Sequence, residues 1–215
     1  MHIAEGVLSP AVLGAGAVLG AAGVAWGLRR MDAGRIMEVG ILSAAFFVGS
    51  LIHVPIGVTS AHLLLTGLLG VLIGWAAFPA ILAALLLQAL LFQYGGLTTL
   101  GVNTFTMGSS AVLAWYAWRG IRRLWPGPAG EKFAAFCGGA LGVALSALLT
   151  ACALAFTNEG FATAAKLLLL AHLPVMAAEG FITMITVGFI ARVRPEMLAS
   201  SKPASRPGAS SPKED

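Results

Sequence analysis

This 215-residue chain has four histidines, His2, His53, His62 and His172. A histidine at position two can chelate through three nitrogens: the terminal amine of Met1, the deprotonated amide of His2 and its imidazole. The two rings so formed are small and nearly coplanar, and one further imidazole completes a square of nitrogens. Tetragonal nitrogen ligation suits Ni(II), Cu(II) and, less ideally, Co(II). A histidine after the initiator methionine is also common without any such role, so both readings stand on residue type alone.

The other histidines carry alternatives of the same kind. His62 follows Gly57-Val-Thr-Ser-Ala, and is either a ligand or an interfacial residue beside a helix start capped by Thr59 or Ser60. His53 precedes Val54-Pro55 and reads as interfacial packing. His172 and Glu179 are seven residues apart, on one face of a helix, with Pro174 between them loosening the backbone ladder. Ionisable residues inside a membrane are functional candidates by default. Here the pair reads first as a clasp fixing two helices and second as a ligand set. Cys137 and Cys152 share one apolar run and show neither metal-ligand nor disulfide spacing.

The elements that must position these residues follow from composition. Hydrophobic residues make up 58% of the chain and charged residues 10%, against roughly 25% charged in an average soluble domain. Mean hydropathy is +0.89. That composition excludes secreted disulfide scaffolds, disordered proteins and nucleic-acid binders. From Val39 to Trp118 there are 80 residues without Asp, Glu, Lys or Arg, which reads as several membrane passes. The opening Met-His-Ile-Ala-Glu-Gly lacks a basic n-region and argues against a cleavable signal peptide.

Seven apolar runs are expected, at about 11–28, 36–52, 61–78, 80–93, 104–118, 133–156 and 165–191. The third and fourth meet at Trp75-Ala-Ala-Phe-Pro79, either as a tight hairpin or as one kinked helix. Charge decides for the hairpin. With seven passes and the N-terminus outside, twelve of the thirteen Lys and Arg fall in cytoplasmic segments and only Lys166 falls outside. Glycines 14, 16, 20, 23 and 27 in the first run predict close helix contact, first inside the bundle and second as a docking face for another subunit. The histidines at 2, 53 and 62, the segment Gln93–Asn103 and Thr157-Asn-Glu-Gly160 then gather polarity at the outer face. The domain spans 1–194, and residues 195–215 read as a disordered cytoplasmic tail.

Four stretches resemble the CbiM/NikM family, the substrate-capture subunits of cobalt and nickel energy-coupling-factor transporters. They are the opening nonapeptide, Pro55-Ile-Gly-Val-Thr-Ser-Ala-His62, Gly95-Gly-Leu-Thr-Thr-Leu-Gly-Val-Asn-Thr-Phe-Thr-Met-Gly108 and His172-Leu-Pro-Val-Met-Ala-Ala-Glu-Gly-Phe-Ile-Thr183. The resemblance implies an all-α bundle of seven transmembrane helices with the N-terminus folded into its core. It also implies a Co(II) or Ni(II) site built by the Met1 amine, the His2 amide and imidazole, and His62. Thr98, Thr99 and Asn103 match the loop that closes over the site. His172 and Glu179 match a family motif without an implied metal contact. The implied partners are a CbiQ-like coupling subunit, CbiO-like ATPases and a separate CbiN-like accessory subunit, in a prokaryotic inner membrane. No fused accessory region follows the seven runs, which favours the cobalt arrangement.

The chain contains no Gly-Lys-Ser or Gly-Lys-Thr, so no P-loop is expected and ATP hydrolysis falls to partners. Capture of cobalt for cobalamin synthesis is the leading expectation, with nickel as its alternative. An intramembrane enzyme using His172 and Glu179 is the distant rival, without a His-Glu-x-x-His motif to support it. A scaffold without cargo is disfavoured by the polar outer loops.

Overall fold

The computed structural model describes residues 3–56 and 59–199, with only the backbone path of 53–56 and 59–62. Helix α1 (Pro10–Arg30) starts where Ser9 Oγ accepts from Val12 N at 3.5 Å and Pro10 takes the first helical position, a place where its missing N–H costs nothing. It ends on Arg29 and Arg30, whose charge complements the helix C-terminus. After a 3-10 turn at Ala33–Arg35 come α2 (Ile36–Leu51), an antiparallel hairpin of β1 (His53–Ile56) and β2 (Thr59–His62), and α3 (Thr66–Ile73). Then follow α4 (Ala77–Phe92), α5 (Leu100–Leu124), α6 (Pro128–Thr157), α7 (Ala162–Ala171), α8 (Leu173–Val193) and α9 (Pro195–Ala199).

Among the described residues, five helical stretches are long and apolar enough to cross a membrane: Pro10–Arg30, Ala33–Leu51, Thr66–Phe92, Pro128–Thr157 and Lys166–Val193. Their outward faces fit that medium, since Val18, Met37, Ile41, Phe156 and Ile185 are all more than 60% exposed. Helix α5 has the length but not the apolarity. It carries Asn103, Thr104, Thr106 and Ser110, all buried, so it runs through the bundle interior rather than along its rim.

Side-chain contacts give the helix directions. Gly49 near the end of α2 lies against Leu65 ahead of α3, and Arg35 ahead of α2 donates to Leu72 O near the end of α3. These two helices are therefore antiparallel. Ser43 donates to Ala80 O and Gln88 donates to Ser50, so α2 and α4 run parallel. The chain must then reverse between α3 and α4. It does so at Gly74, with φ at +55°, a left-handed backbone that glycine adopts without Cβ penalty.

This corrects the expected third run in two ways. Residues 59–62 are strand rather than helix, so neither Thr59 nor Ser60 stands at a helix start, and the helix that follows has only 8 residues. At 1.5 Å per residue it is about 12 Å long, well short of a bilayer core. The reversal lies at Gly74, ahead of the proline expected to make it. Pro79 sits in the first turn of α4, where the missing donor is harmless. The fifth and sixth elements exceed their expected runs, and the expected tail opens with α9; residues 200–215 lie outside the described part.

Glycines hold the bundle close. A Cβ on Gly20 would stand 2.6 Å from the Gly101 carbonyl oxygen, and one on Gly27 2.6 Å from that of Trp75. Gly16 and Gly23 meet Val102 and Phe78, whereas Gly14 faces open space. Internal packing is thus the role of four of the five first-run glycines. On the far side of α5, Gly67 of α3 meets Gly138, Gly139 and Gly142 of α6 backbone to backbone. Small residues at such crossings replace the hydrophobic drive that is lost in lipid.

Candidate metal-capture site

The N-terminal segment 3–9 is pinned across the start of α5. Ile3 N donates to Asn103 Oδ1 at 3.1 Å, and Asn103 Nδ2 donates back to Ile3 O at 3.2 Å. One amide side chain thus satisfies both backbone groups of a residue that is 5% exposed. Asn103 is held in turn: its Nδ2 reaches Thr99 Oγ1 at 3.3 Å, and Thr99 Oγ1 donates to Gly96 O at 3.3 Å. Below it, Thr106 donates to Asn103 O and Ser110 to Thr106 O. A hydroxyl–amide ladder therefore descends the buried face of α5.

A second grip lies two residues further on. Glu5 N donates to Gly95 O at 3.1 Å, and Glu5 Oε1 accepts from Thr98 N at 3.2 Å. Gly96, at φ +143°, leaves room for the Glu5 side chain where a Cβ would collide with it. Ser9 N reaches Thr157 Oγ1 at 3.4 Å. Ile3 and Leu8 pack with Val102 and Leu154 in a small apolar cluster of their own. Thr98 and Asn103 thus meet the N-terminal strap directly, and Thr99 reaches it through Asn103.

The hairpin stands at the same end of the bundle, between α2 and α3. Its register pairs His53 with His62, so the two are direct cross-strand partners at the hairpin's open end. From there the chain enters α3 through Leu64 and Leu65, whose amides have no partner within the helix. The carboxylate of Glu179, fully buried on α8, supplies one: Leu64 N and Leu65 N both donate to it, the latter at 2.9 and 3.0 Å. At the other end of α3, Arg35 Nη2 donates to Leu72 O at 3.1 Å while pairing with Glu38 at 2.7 Å. Glu179 thus gives the free amides at the N-terminus an acceptor, and Arg35 sets a cation at the C-terminus, the sign that the helix dipole favours there.

His172 does not join Glu179. Its Nδ1 lies 2.7 Å from Leu168 O at the α7–α8 junction, and seven helical residues put about 10 Å of rise between the two side chains. Met1, His2 and the His62 side chain lie outside the described residues. Among the described residues no group of three His, Cys, Asp or Glu converges as a metal cage. The Glu5 grip on Thr98 and the Arg35 cap on α3 were not expected from sequence. The acid three residues after His2 was the available signal for the first; nothing local signals the second.

The profile of the cobalt uptake substrate-specific transmembrane region, CbiM, matches residues 2–197. The chain belongs to the CbiM family. A Haemophilus influenzae relative named for metal transport is 39% identical over 92% of this chain and 97% of its own. The fused nickel transport protein NikMN of Rhodobacter capsulatus is 33% identical over 96% of this chain and 66% of its own. A crystal structure titled as a transition metal transporter superposes with a TM-score of 0.72 and 29% identity, covering 90% of this chain and 93% of that one. The CbiM-family chain is thus a membrane component of cobalt or nickel transport. Its polar strap, hairpin and α4–α5 loop share one end, and the Arg and Lys clusters of α1, α5, α6 and α8 share the other.

Proposed function

We propose that this chain is the metal-capture subunit of an ATP-driven energy-coupling-factor uptake system for cobalt, with nickel as the alternative cargo. The observation that carries the reading is the two-way Asn103 grip on Ile3. Two residues span at most about 7 Å, so a pinned Ile3 keeps the Met1 amine and His2 close to the start of α5. The amine, the His2 amide and imidazole, and His62 would replace the water of a divalent ion with four nitrogens. Thr98, Thr99 and Asn103 close over the site by holding the strap rather than by ligating. Glu179 serves the site indirectly, by fixing the start of α3 and with it the hairpin that carries His62.

On this reading the chain makes seven passes with its N-terminus outside and the site at the outer face of a prokaryotic inner membrane, which the gathering of Arg and Lys at the opposite end supports. Energy comes from CbiO-like ATPases through a CbiQ-like coupling subunit, with a CbiN-like accessory subunit, and the cobalt feeds cobalamin synthesis. The test is metal stoichiometry on protein purified through a C-terminal tag. One equivalent of Co(II) or Ni(II) is expected with the native N-terminus and none when a single residue precedes Met1. Full binding by the extended protein would overturn the terminal-amine site. Metal uptake by cells expressing the complete transporter separates cobalt from nickel.

A further inference from the structure

At the end of the bundle opposite the strap, a crevice follows the contact of α6 with α8. Its outer part, about 510 Å³, is lined by Arg122, Trp125, Glu131, Lys132, Gly188 and Arg192 among others. A second part, about 300 Å³, shares Lys132, Gly188 and Arg192 and continues along α8 to Met184, Ile185 and Phe189. Lys132 and Arg192 thus stand where the two parts join, and the second part leads from them onto an apolar arm of Met184, Ile185 and Phe189.

The charges are unevenly matched. Glu131 is engaged by Arg122 at 3.5 Å, and the Arg122 guanidinium also lies 4.6 Å from the Trp118 ring centre. Lys132 and Arg192 are exposed and have no ion-pair partner among the described residues. A Cβ on Gly188 would meet nothing within 4 Å, so the floor joining the two arms is open. Ile185 and Phe189 are 67% and 64% exposed and lie within the Lys166–Val193 stretch that is apolar enough to cross a membrane. Arg192 stands at the very end of that stretch, with Phe189 and Ile185 one and two helical turns further in.

We propose that this crevice binds an anionic phospholipid, with its phosphate between Lys132 and Arg192 and one acyl chain along Gly188, Ile185 and Phe189. The charge complementarity is that of basic clusters at a membrane surface, each cation there favouring an anionic headgroup by about 5-fold. A soluble protein partner would meet the cations but not the apolar arm, which lies within the bilayer.

The test titrates the full chain in detergent with phosphatidylglycerol and, separately, phosphatidylcholine, counting bound lipids by native mass spectrometry. The wild type should prefer phosphatidylglycerol by about 30-fold, the combined effect of two cations. Lys132→Gln with Arg192→Gln should abolish that preference, and Gly188→Leu should weaken both lipids alike. Glu131→Gln should raise the preference, a gain that misfolding cannot imitate. Equal binding of the two lipids by the wild type, or an unchanged preference in the double variant, would overturn the proposal. Displacement of the lipid by inorganic phosphate with no effect of Gly188→Leu would do the same, and would leave a free-anion site. Loss of ATPase-subunit association in the double variant at unchanged lipid preference would make the crevice a protein-docking surface instead.

Discussion

Asn103 uses both ends of its side-chain amide on the backbone of a single residue, Ile3. Replacing it with leucine would bury an N–H and a C=O without partners, at about 1–3 kcal/mol for each group. Asn103→Leu is accordingly expected to lower the unfolding free energy of metal-free protein by about 2 kcal/mol or more, and to weaken metal capture further still. Wild-type affinity in that variant would show that the strap need not be pinned. His62→Ala should abolish high-affinity capture, and His53→Ala, its cross-strand partner, should be milder. Equal losses would mean that the fourth ligand is misassigned. The chelate also sets a pH dependence. Binding releases a proton from the His2 amide and, below the ordinary amine pKa of about 7.7, a second from the Met1 amine. Affinity measured by calorimetry should therefore rise with pH, more steeply below about 7.7 than above it. A flat profile would exclude ligation by the terminal amine and the amide.

At the scale of elements, α3 is the piece that least resembles a membrane helix. Its 8 residues bury almost every side chain, and its two ends are completed by Glu179 from α8 and Arg35 from the α1–α2 turn. Glu179→Ala should cost about 3 kcal/mol, because two buried amides lose their acceptor. Glu179→Gln keeps a carbonyl oxygen and should cost less than half of that. If the two variants were equally unstable, the charge rather than the hydrogen bonds would hold α3. At the α1–α5 crossing, Gly20→Leu would drive a side chain into the Gly101 carbonyl. That should force the helices apart, which thermal unfolding in detergent would register as a clear loss.

For the whole molecule, the arrangement of charge makes the firmest prediction. The Arg and Lys residues of the α1–α2, α5–α6 and α8–α9 connections share one end, away from the strap. The positive-inside rule then orients the protein with the strap outside. A single cysteine introduced in place of Ser210, in a background lacking Cys137 and Cys152, should resist impermeant maleimide in intact cells and react once the membrane is opened. Labelling in intact cells would invert the topology.

Membrane residence was legible in the sequence because the medium selects composition over long windows: a stretch of 80 uncharged residues admits few other readings. Direction reversal between the third and fourth runs was legible for the same reason, since charge asymmetry counts passes without knowing where the turns fall. Family motifs singled out Thr98, Thr99 and Asn103 before any contact was known. What Asn103 touches was not legible, because its partner Ile3 lies 100 positions away in sequence. The shortness of α3 and its two foreign caps were hidden, because an apolar run looks alike whether it spans lipid or is buried among other helices. Hydropathy reports the transfer of side chains out of water. Which backbone groups remain unpaired, and which distant side chain arrives to pair them, is decided by packing in three dimensions.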